Sequence, residues 1–174
     1  MTSSPVFSDA GEVSHMAQAL EVKAQEGDVI VLDKPPSRER VEQIERLILQ
    51  TPQVDLQTTH ALSGGVYART IFIPAGTVLT GAAHKKDHLN IMQGDITVST
   101  DDGMKRLTGQ HVVPTKAGNK RIGYAHSDTI WTTICHTTLS DIEAIEEELI
   151  EEPEKLQTRQ PCLSAEIPKM IEEQ

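Results

Sequence analysis

The chain has 174 residues, with 16 basic and 26 acidic side chains and a formal net charge of −10. This length fits one domain with some residues left for arms, and the 37% hydrophobic content predicts a compact core beside polar segments. No stretch approaches the roughly 20 apolar residues of a membrane helix, the N-terminus lacks the pattern of a secretory signal, and the two cysteines form neither a disulfide framework nor a zinc motif. The acidic balance argues against a general phosphate-backbone binder, so we expect no direct nucleic-acid partner. Because no long apolar stretch is present, we also expect no membrane partner.

Residues 1–36 form a predicted N-terminal arm. The apolar run at 29–32 fits either one strand or a segment that docks on the body. A helix is predicted next, because Ser37 can cap it and apolar residues then recur at helical spacing until Thr51 and Pro52 end the pattern. The recurring apolar residues are Val41, Ile44, Leu47 and Ile48. The polar residues of this helix are interpreted as a solvated face, made by Arg38, Glu39, Glu42, Glu45 and Arg46.

Short strands separated by turn residues are predicted from Val66 to about Thr138. Gly64 and Gly65 are interpreted as a turn before the first strand, and Gly94 and Gly109 are predicted to end strands. Strands at this spacing are typical of an antiparallel sandwich or barrel. The predicted strands have the sequences VYARTIFIP, HLNIMQG, DITVST, MKRLT, HVVP, KRIGYAH and TIWTTICH.

Residues 140–174 are predicted to form an acidic helix and a tail, after a helix and barrel at 37–139. The net charge is −7 over residues 141–156 but only −2 over residues 1–140. Ser140 can cap this helix, and Ile142, Ile145 and Leu149 form a narrow apolar stripe along it. We interpret the stripe as an interaction surface for another molecule.

Two segments carry a resemblance to known proteins. IFIPAGTVLTG followed by HKKDHLNIMQGDITVSTDDG resembles the first motif of the cupin superfamily, and LTGQHVVPTKAGNKR resembles the second. The resemblance implies a mainly β fold with a single cupin-like antiparallel β-barrel of jelly-roll type. Over residues 45–150 the chain further resembles small cupin-like proteins encoded by tailed phages and prophages, through GGVYARTIFIPAGTVLTG, AGNKRIGYAHSDTIWTTICHTT and DIEAIEEELI.

Most metal ligands of the cupin motifs are replaced in this chain. Counting back from Gly94, the acidic ligand falls on Asp87, whereas the histidine positions of the first motif fall on small residues. The ligand histidine of the second motif falls on Arg121. No catalytic residue is identified, and the resemblance implies a fold rather than an activity.

A shifted metal site is the alternative. His84 and His88 flank Asp87, and His136 or His126 could supply a third imidazole. Imidazoles plus a carboxylate bind Fe, Mn or Zn. If Asp87 points inward as in the family, strand alternation would turn His88 outward. The competing interpretation places these residues on a polar rim or a subunit contact, so we expect no cofactor, with a divalent metal as the alternative.

The resemblance implies that the two cupin motifs lie side by side at the mouth of the barrel, which would place five cations near one opening. They are Lys85, Lys86, Lys116, Lys120 and Arg121. Such a rim could bind an anionic ligand or the acidic arm of a neighbouring copy, and its other interpretation is a solvated charged surface.

Three hypotheses for function follow. The first is a non-enzymatic, phage-type module with a structural, assembly or virion-associated role, which forms a homo-oligomer and contacts other phage proteins. The second is a small metal-dependent isomerase or dioxygenase, and the third is an acidic inhibitor of a host protein. The first hypothesis places the protein in the host cytoplasm or the phage particle.

Overall fold

A computed structural model describes residues 36–159 and shows a mainly β, antiparallel architecture with one helix before the sheet and one after it. The helices are α1 (Arg38–Ile48) and α2 (Ile142–Leu149), and a short 3-10 helix spans Pro153–Lys155. The strands are β1 (Thr58–Ser63), β2 (Val66–Ile73), β3 (Val78–Thr80), β4 (His88–Thr100), β5 (Gly103–Thr115), β6 (Ile122–Ala125) and β7 (Thr129–His136). The predicted fold class is confirmed; the predicted arms before residue 36 and after residue 159, including the run at 29–32, lie outside the described residues.

The seven strands form one curled sheet that remains open along one side. Its order is β1-β2-β7-β4-β6-β3, and β5 pairs with β4 outside this path. All strand pairs are antiparallel. Some of them pair strands that are far apart in the sequence, such as β2 and β7. The edge strands β1 and β3 do not pair with each other, and the sheet is therefore a half-barrel.

Two glycines predicted to end strands instead bend a continuous hairpin. Strands β4 and β5 pair over 13 residues each, and Gly94 lies opposite Gly109 in that ladder. Both glycines have positive φ, 144° and 86°, which lets the strands bend without ending. The predicted strands HLNIMQG and DITVST are thus one strand, and so are MKRLT and HVVP.

Both helices form as predicted, with one correction at a cap. The Ser37 side chain accepts a hydrogen bond from the amide of Arg40 and begins α1. The cap of α2 is Asp141, whose carboxylate accepts from the amide of Ala144, and not Ser140. A carboxylate at a helix N-terminus both satisfies a free amide and interacts favourably with the helix dipole. Neither described helix is long and apolar enough to cross a membrane.

Each helix covers a different part of the sheet. Helix α1 packs Val41 and Ile44 on Met104 and Ile122. Helix α2 closes the end of the half-barrel, where Ile145 and Leu149 form one core cluster with Tyr67, Cys135, Ile150 and Leu156. Two residues of the predicted interaction stripe, Ile145 and Leu149, are therefore core residues of their own chain, and Ile142 alone is exposed, at 42%.

Candidate functional site

The structure brings together two of the predicted metal ligands, His84 and His88. Their ring centroids lie 4.2 Å apart. The Nδ1 atom of His84 is 3.2 Å from the carbonyl oxygen of Ala82, and that of His88 is 3.0 Å from the carbonyl oxygen of Lys86. Burial lowers the pKa of both imidazoles, and burial together with the charge of His88 brings the pKa of His84 to about 4. The two rings are therefore neutral at pH 7.

The other two predicted ligands lie elsewhere. Asp87 is exposed, where it accepts hydrogen bonds from Lys116 Nζ at 2.7 Å and from the amide of Ala117 at 2.9 Å. His136 is exposed at the end of β7. The side chains of His88 and Asp87 face the opposite way from the expectation, since His88 is buried and Asp87 points outward. Within residues 36–159, no group of three or more His, Cys, Asp or Glu side chains could hold a metal ion; metal binding itself stays a prediction.

The buried His84 predicts a loss of stability in acid. Its folded pKa of about 4 lies below the ordinary value of 6.5, so the unfolded chain binds the proton first as the pH falls from about 6.5 to 4. The free energy of unfolding should therefore decrease in that window, by at most about 1.4 kcal/mol per pH unit from this group. We expect His84→Gln to flatten the decrease, measured by urea unfolding at pH 7.0, 5.5 and 4.5 with a chelator present. Parallel curves for the two proteins would contradict this assignment.

Three of the predicted rim cations have partners within the same chain, two in ion pairs and one in a hydrogen bond to a carbonyl. Lys86 Nζ lies 2.6 Å from Glu148 Oε1, and Lys85 Nζ donates to the carbonyl of Glu147 at 2.7 Å. Both acceptors belong to α2, so the acidic helix satisfies part of the rim in its own chain. Lys116 pairs with Asp87.

The remaining two rim cations, Lys120 and Arg121, are buried. Lys120 is 3% exposed at its side chain, and its Nζ lies 2.8 Å from Glu45 Oε1 and 3.5 Å from Glu152 Oε2. Glu45 therefore does not belong to a solvated face of α1, as the helical pattern indicated. The pairing joins residues 75 positions apart, and no local pattern could have identified it.

Arg121 is part of a hydrogen-bonded chain inside the half-barrel. Its Nη2 donates to Thr115 Oγ1 at 3.1 Å, and Asn90 Nδ2 donates to the same oxygen at 2.8 Å. Asn90 Oδ1 in turn accepts from Trp131 Nε1 at 3.0 Å and from Thr133 Oγ1 at 2.8 Å. Arg121 stands where the second cupin motif has a ligand histidine. It thus helps to position Thr115 and, through Thr115, Asn90.

A cavity of about 1090 Å³ opens between the sheet edges β1 and β3, beneath the segments that follow α1 and α2. Arg69 of β2 lies in its wall, and its side chain is 16% exposed. The Nε atom of Arg69 is buried without a hydrogen-bond partner, 3.9 Å from Glu146 Oε1, which is also buried and unpartnered. The sequence offered no signal for this residue beyond its place in a predicted strand.

The ionisable residues beside Arg69 are held in their neutral forms. Burial, then the charge of Arg69, lowers the pKa of His60, whose Nδ1 lies 2.8 Å from the Tyr67 hydroxyl. Burial raises the pKa of Tyr67 to about 12. Burial also lowers the pKa of Arg69, although a guanidinium stays charged at neutral pH. Arg69 is thus a charged side chain beside two neutral ones, His60 and Tyr67.

The outer face of the sheet carries exposed apolar side chains beside the polar residues Thr70, Gln93, Gln110 and Thr132. Leu89 lies opposite Pro114 on β5 and Ile134 on β7, and Val112 lies opposite Ile91. Directly paired residues share one face, which is opposite to that of the buried His88 and Asn90. Exposure reaches 60% at Val112, 44% at Leu89 and 43% at Ile130. We define the outer face as Phe72, Leu89, Ile91, Val112, Pro114, Ile130 and Ile134.

No protein-family model matches the chain, and a search of curated proteins found no match. Solved structures that resemble part of it include cupin-domain proteins. A cupin-2 domain protein from Shewanella frigidimarina is 10% identical, with a TM-score of 0.39, over 53% of this chain and 91% of the other. A cupin superfamily protein from Desulfitobacterium hafniense is 17% identical, with a TM-score of 0.38, over 62% and 98%. The cupin domain of Schizosaccharomyces pombe Cnp3 is 18% identical, with a TM-score of 0.40, over 52% and 77%.

Proposed function

We propose that the chain is a non-enzymatic assembly module whose copies associate through the outer face. The supporting observation is a set of exposed apolar side chains on one face of β5, β4, β7 and β2, in which Val112, Leu89 and Ile130 are each more than 40% exposed. Soluble monomers rarely expose large contiguous apolar patches, and such patches mark interaction sites. Neither α1 nor α2 packs on this face among the residues that the structure describes.

A second copy of the chain fits this face. Apolar rows on a sheet are self-complementary under a two-fold axis, and two sheets pack face to face at about 10 Å with interdigitating side chains. The apolar stripe of α2, which was predicted as an interaction surface, exposes little apolar area, since Ile145 and Leu149 are buried in the same chain. Its acidic side chains are also engaged, as Glu146 and Glu147 pair with Arg159 and Glu148 pairs with Lys86.

Native mass spectrometry of the untagged full chain tests this proposal. We expect the wild type at a multiple of 19.1 kDa. Val112→Glu and Leu89→Glu should each shift the population to the monomer, because a buried, unpaired carboxylate in an apolar interface costs several kcal/mol. Both positions are exposed in the single chain, so the variants are expected to remain folded.

Ile142→Glu is the matched control. It places the same charge at an apolar residue of similar exposure, 42%, on α2. We expect its mass to equal that of the wild type. A wild-type monomer at micromolar concentration, or dissociation by Ile142→Glu and not by Val112→Glu, would overturn the proposal.

The resemblance to phage-encoded proteins supports a finer version, in which the assembly is a virion-associated part. That version predicts that the protein copurifies with particles through a density gradient. Recovery in the soluble lysate alone would contradict it.

A further inference from the structure

We propose that the cavity at the open side of the sheet binds a small organic monocarboxylate, whose carboxylate group is received by Arg69. This inference is independent of the assembly proposal, because no residue of the outer face lies in the cavity wall.

Arg69 has an unused capacity for hydrogen bonding. In the part of the chain that the structure describes, its guanidinium makes no hydrogen bond, and its one ion pair, with Glu146, is 3.9 Å long. Its Nε is buried without a partner, and its side chain, 16% exposed, lines the cavity. A guanidinium presents a planar pair of donors that matches a carboxylate in a bidentate contact.

Glu146 does not use the free hydrogen-bonding capacity of the Arg69 guanidinium. Its Oε2 accepts from Arg159 Nε at 2.8 Å, and its Oε1 is too far from Arg69 for a hydrogen bond. Glu146 is not in the cavity wall, whereas Arg69 is, so a ligand in the cavity contacts Arg69 and not Glu146.

The other cations of the wall are already paired with acids of the wall. Lys120 contacts Glu45 and Glu152, and Lys155 lies 2.5 Å from Glu152. Asp55, the third acid in the wall, accepts from the amide of Gln57 at 3.1 Å. An incoming anion therefore finds its unsatisfied partner at Arg69 and not at the lysines.

The apolar part of the wall determines the chemical class of the ligand. It includes the aliphatic residues Ile71, Leu79, Ala82, Ala83, Ile150 and Leu156. Aliphatic side chains with one charged group fit an apolar body that carries a single carboxylate. An inorganic anion would leave this apolar surface unused.

Nuclear magnetic resonance titration of the full chain tests the inference. Hexanoate is the probe, hexanamide is the neutral analogue of equal size, and inorganic phosphate is the small anion. We expect hexanoate to shift the backbone amides of Ile71, Leu79 and Ala83 saturably, and hexanamide to bind at least tenfold more weakly. Arg69→Gln should weaken hexanoate at least tenfold, while Arg46→Gln, an exposed arginine of α1 outside the wall, should leave it unchanged.

Arg69→Lys keeps the charge without the planar donor pair, and we expect it to weaken binding by a smaller factor than Arg69→Gln. The comparison of hexanoate with hexanamide on the wild type decides the matter even if both variants fail to fold. Equal shifts from hexanamide, equal shifts from phosphate, or no saturable response to butanoate, hexanoate and octanoate would each overturn the inference.

Discussion

Replacement of Gly94 by alanine is expected to destabilise the protein by about 3–5 kcal/mol. A Cβ atom at this position would meet Thr129 Oγ1 and would lie 2.8 Å from the carbonyl oxygen of Asp128, both on the neighbouring segment. The φ of 144° adds backbone strain of about 1–3 kcal/mol for a residue with a side chain. Relief of the contact requires β4 to move away from the start of β7, which costs a further 1–3 kcal/mol or so.

Gly109→Ala is the matched control, since Gly109 lies directly opposite Gly94 in the ladder. Its φ of 86° is also positive, but a Cβ there meets nothing within 4 Å. We expect a loss of about 1–2 kcal/mol from strain alone. Urea unfolding can be followed by the fluorescence of Trp131, the single tryptophan. Equal losses for the two variants would show that the contact with Thr129 does not determine the effect.

Lys120→Met is expected to destabilise the fold by about 3 kcal/mol, because it leaves the largely buried Glu45 without its main partner. The Glu45 side chain is 16% exposed, and the distance to its remaining cation, Lys155, is 3.9 Å. Methionine keeps most of the length of the side chain and lacks only its terminal ammonium, so most of the loss comes from the unpaired charge. Lys120→Met combined with Glu45→Gln should recover part of the stability.

Lys116→Met removes an ion pair of similar length, 2.7 Å, from an exposed position. Its side chain is 79% exposed and that of Asp87 60%, so the expected loss is under about 1 kcal/mol. Thermal unfolding of the two variants in the same buffer measures the difference. If Lys120→Met costs no more than Lys116→Met, burial of the Lys120–Glu45 pair is not what stabilises α1 on the sheet.

The elements that could be predicted are those defined by local patterns. Helix α1 begins at a serine cap and repeats apolar residues at helical spacing, and β2 and β7 are short segments bounded by turn residues. Strand β1 was missed because TTHALS is mostly polar and exposed, and β3 because it has three residues. Both are edge strands, which are stabilised by their neighbours more than by their own composition.

The candidate site depended on which way side chains point from a strand and on contacts between residues far apart in the sequence. Local sequence patterns define neither. The assignment of Asp87 to the interior came from the resemblance, and a shift of one residue in a strand exchanges the two faces. Lys120 and Glu45 meet only after α1 has packed against the end of the sheet. The position of Arg69 beside Glu146 likewise depends on α2 closing the half-barrel.

The order of the strands has a consequence for synthesis and folding rate. The β4–β5 hairpin is local and can form as soon as residue 115 is available, whereas β2 must wait for β7, its partner more than 50 residues later. The non-local pairings of β2 with β7, and of β7 with β4, close long loops, which slows folding. When only the first 120 residues have emerged from the ribosome, the β1–β2 hairpin therefore lacks its neighbour β7, and the sheet is completed only when residue 136 has emerged.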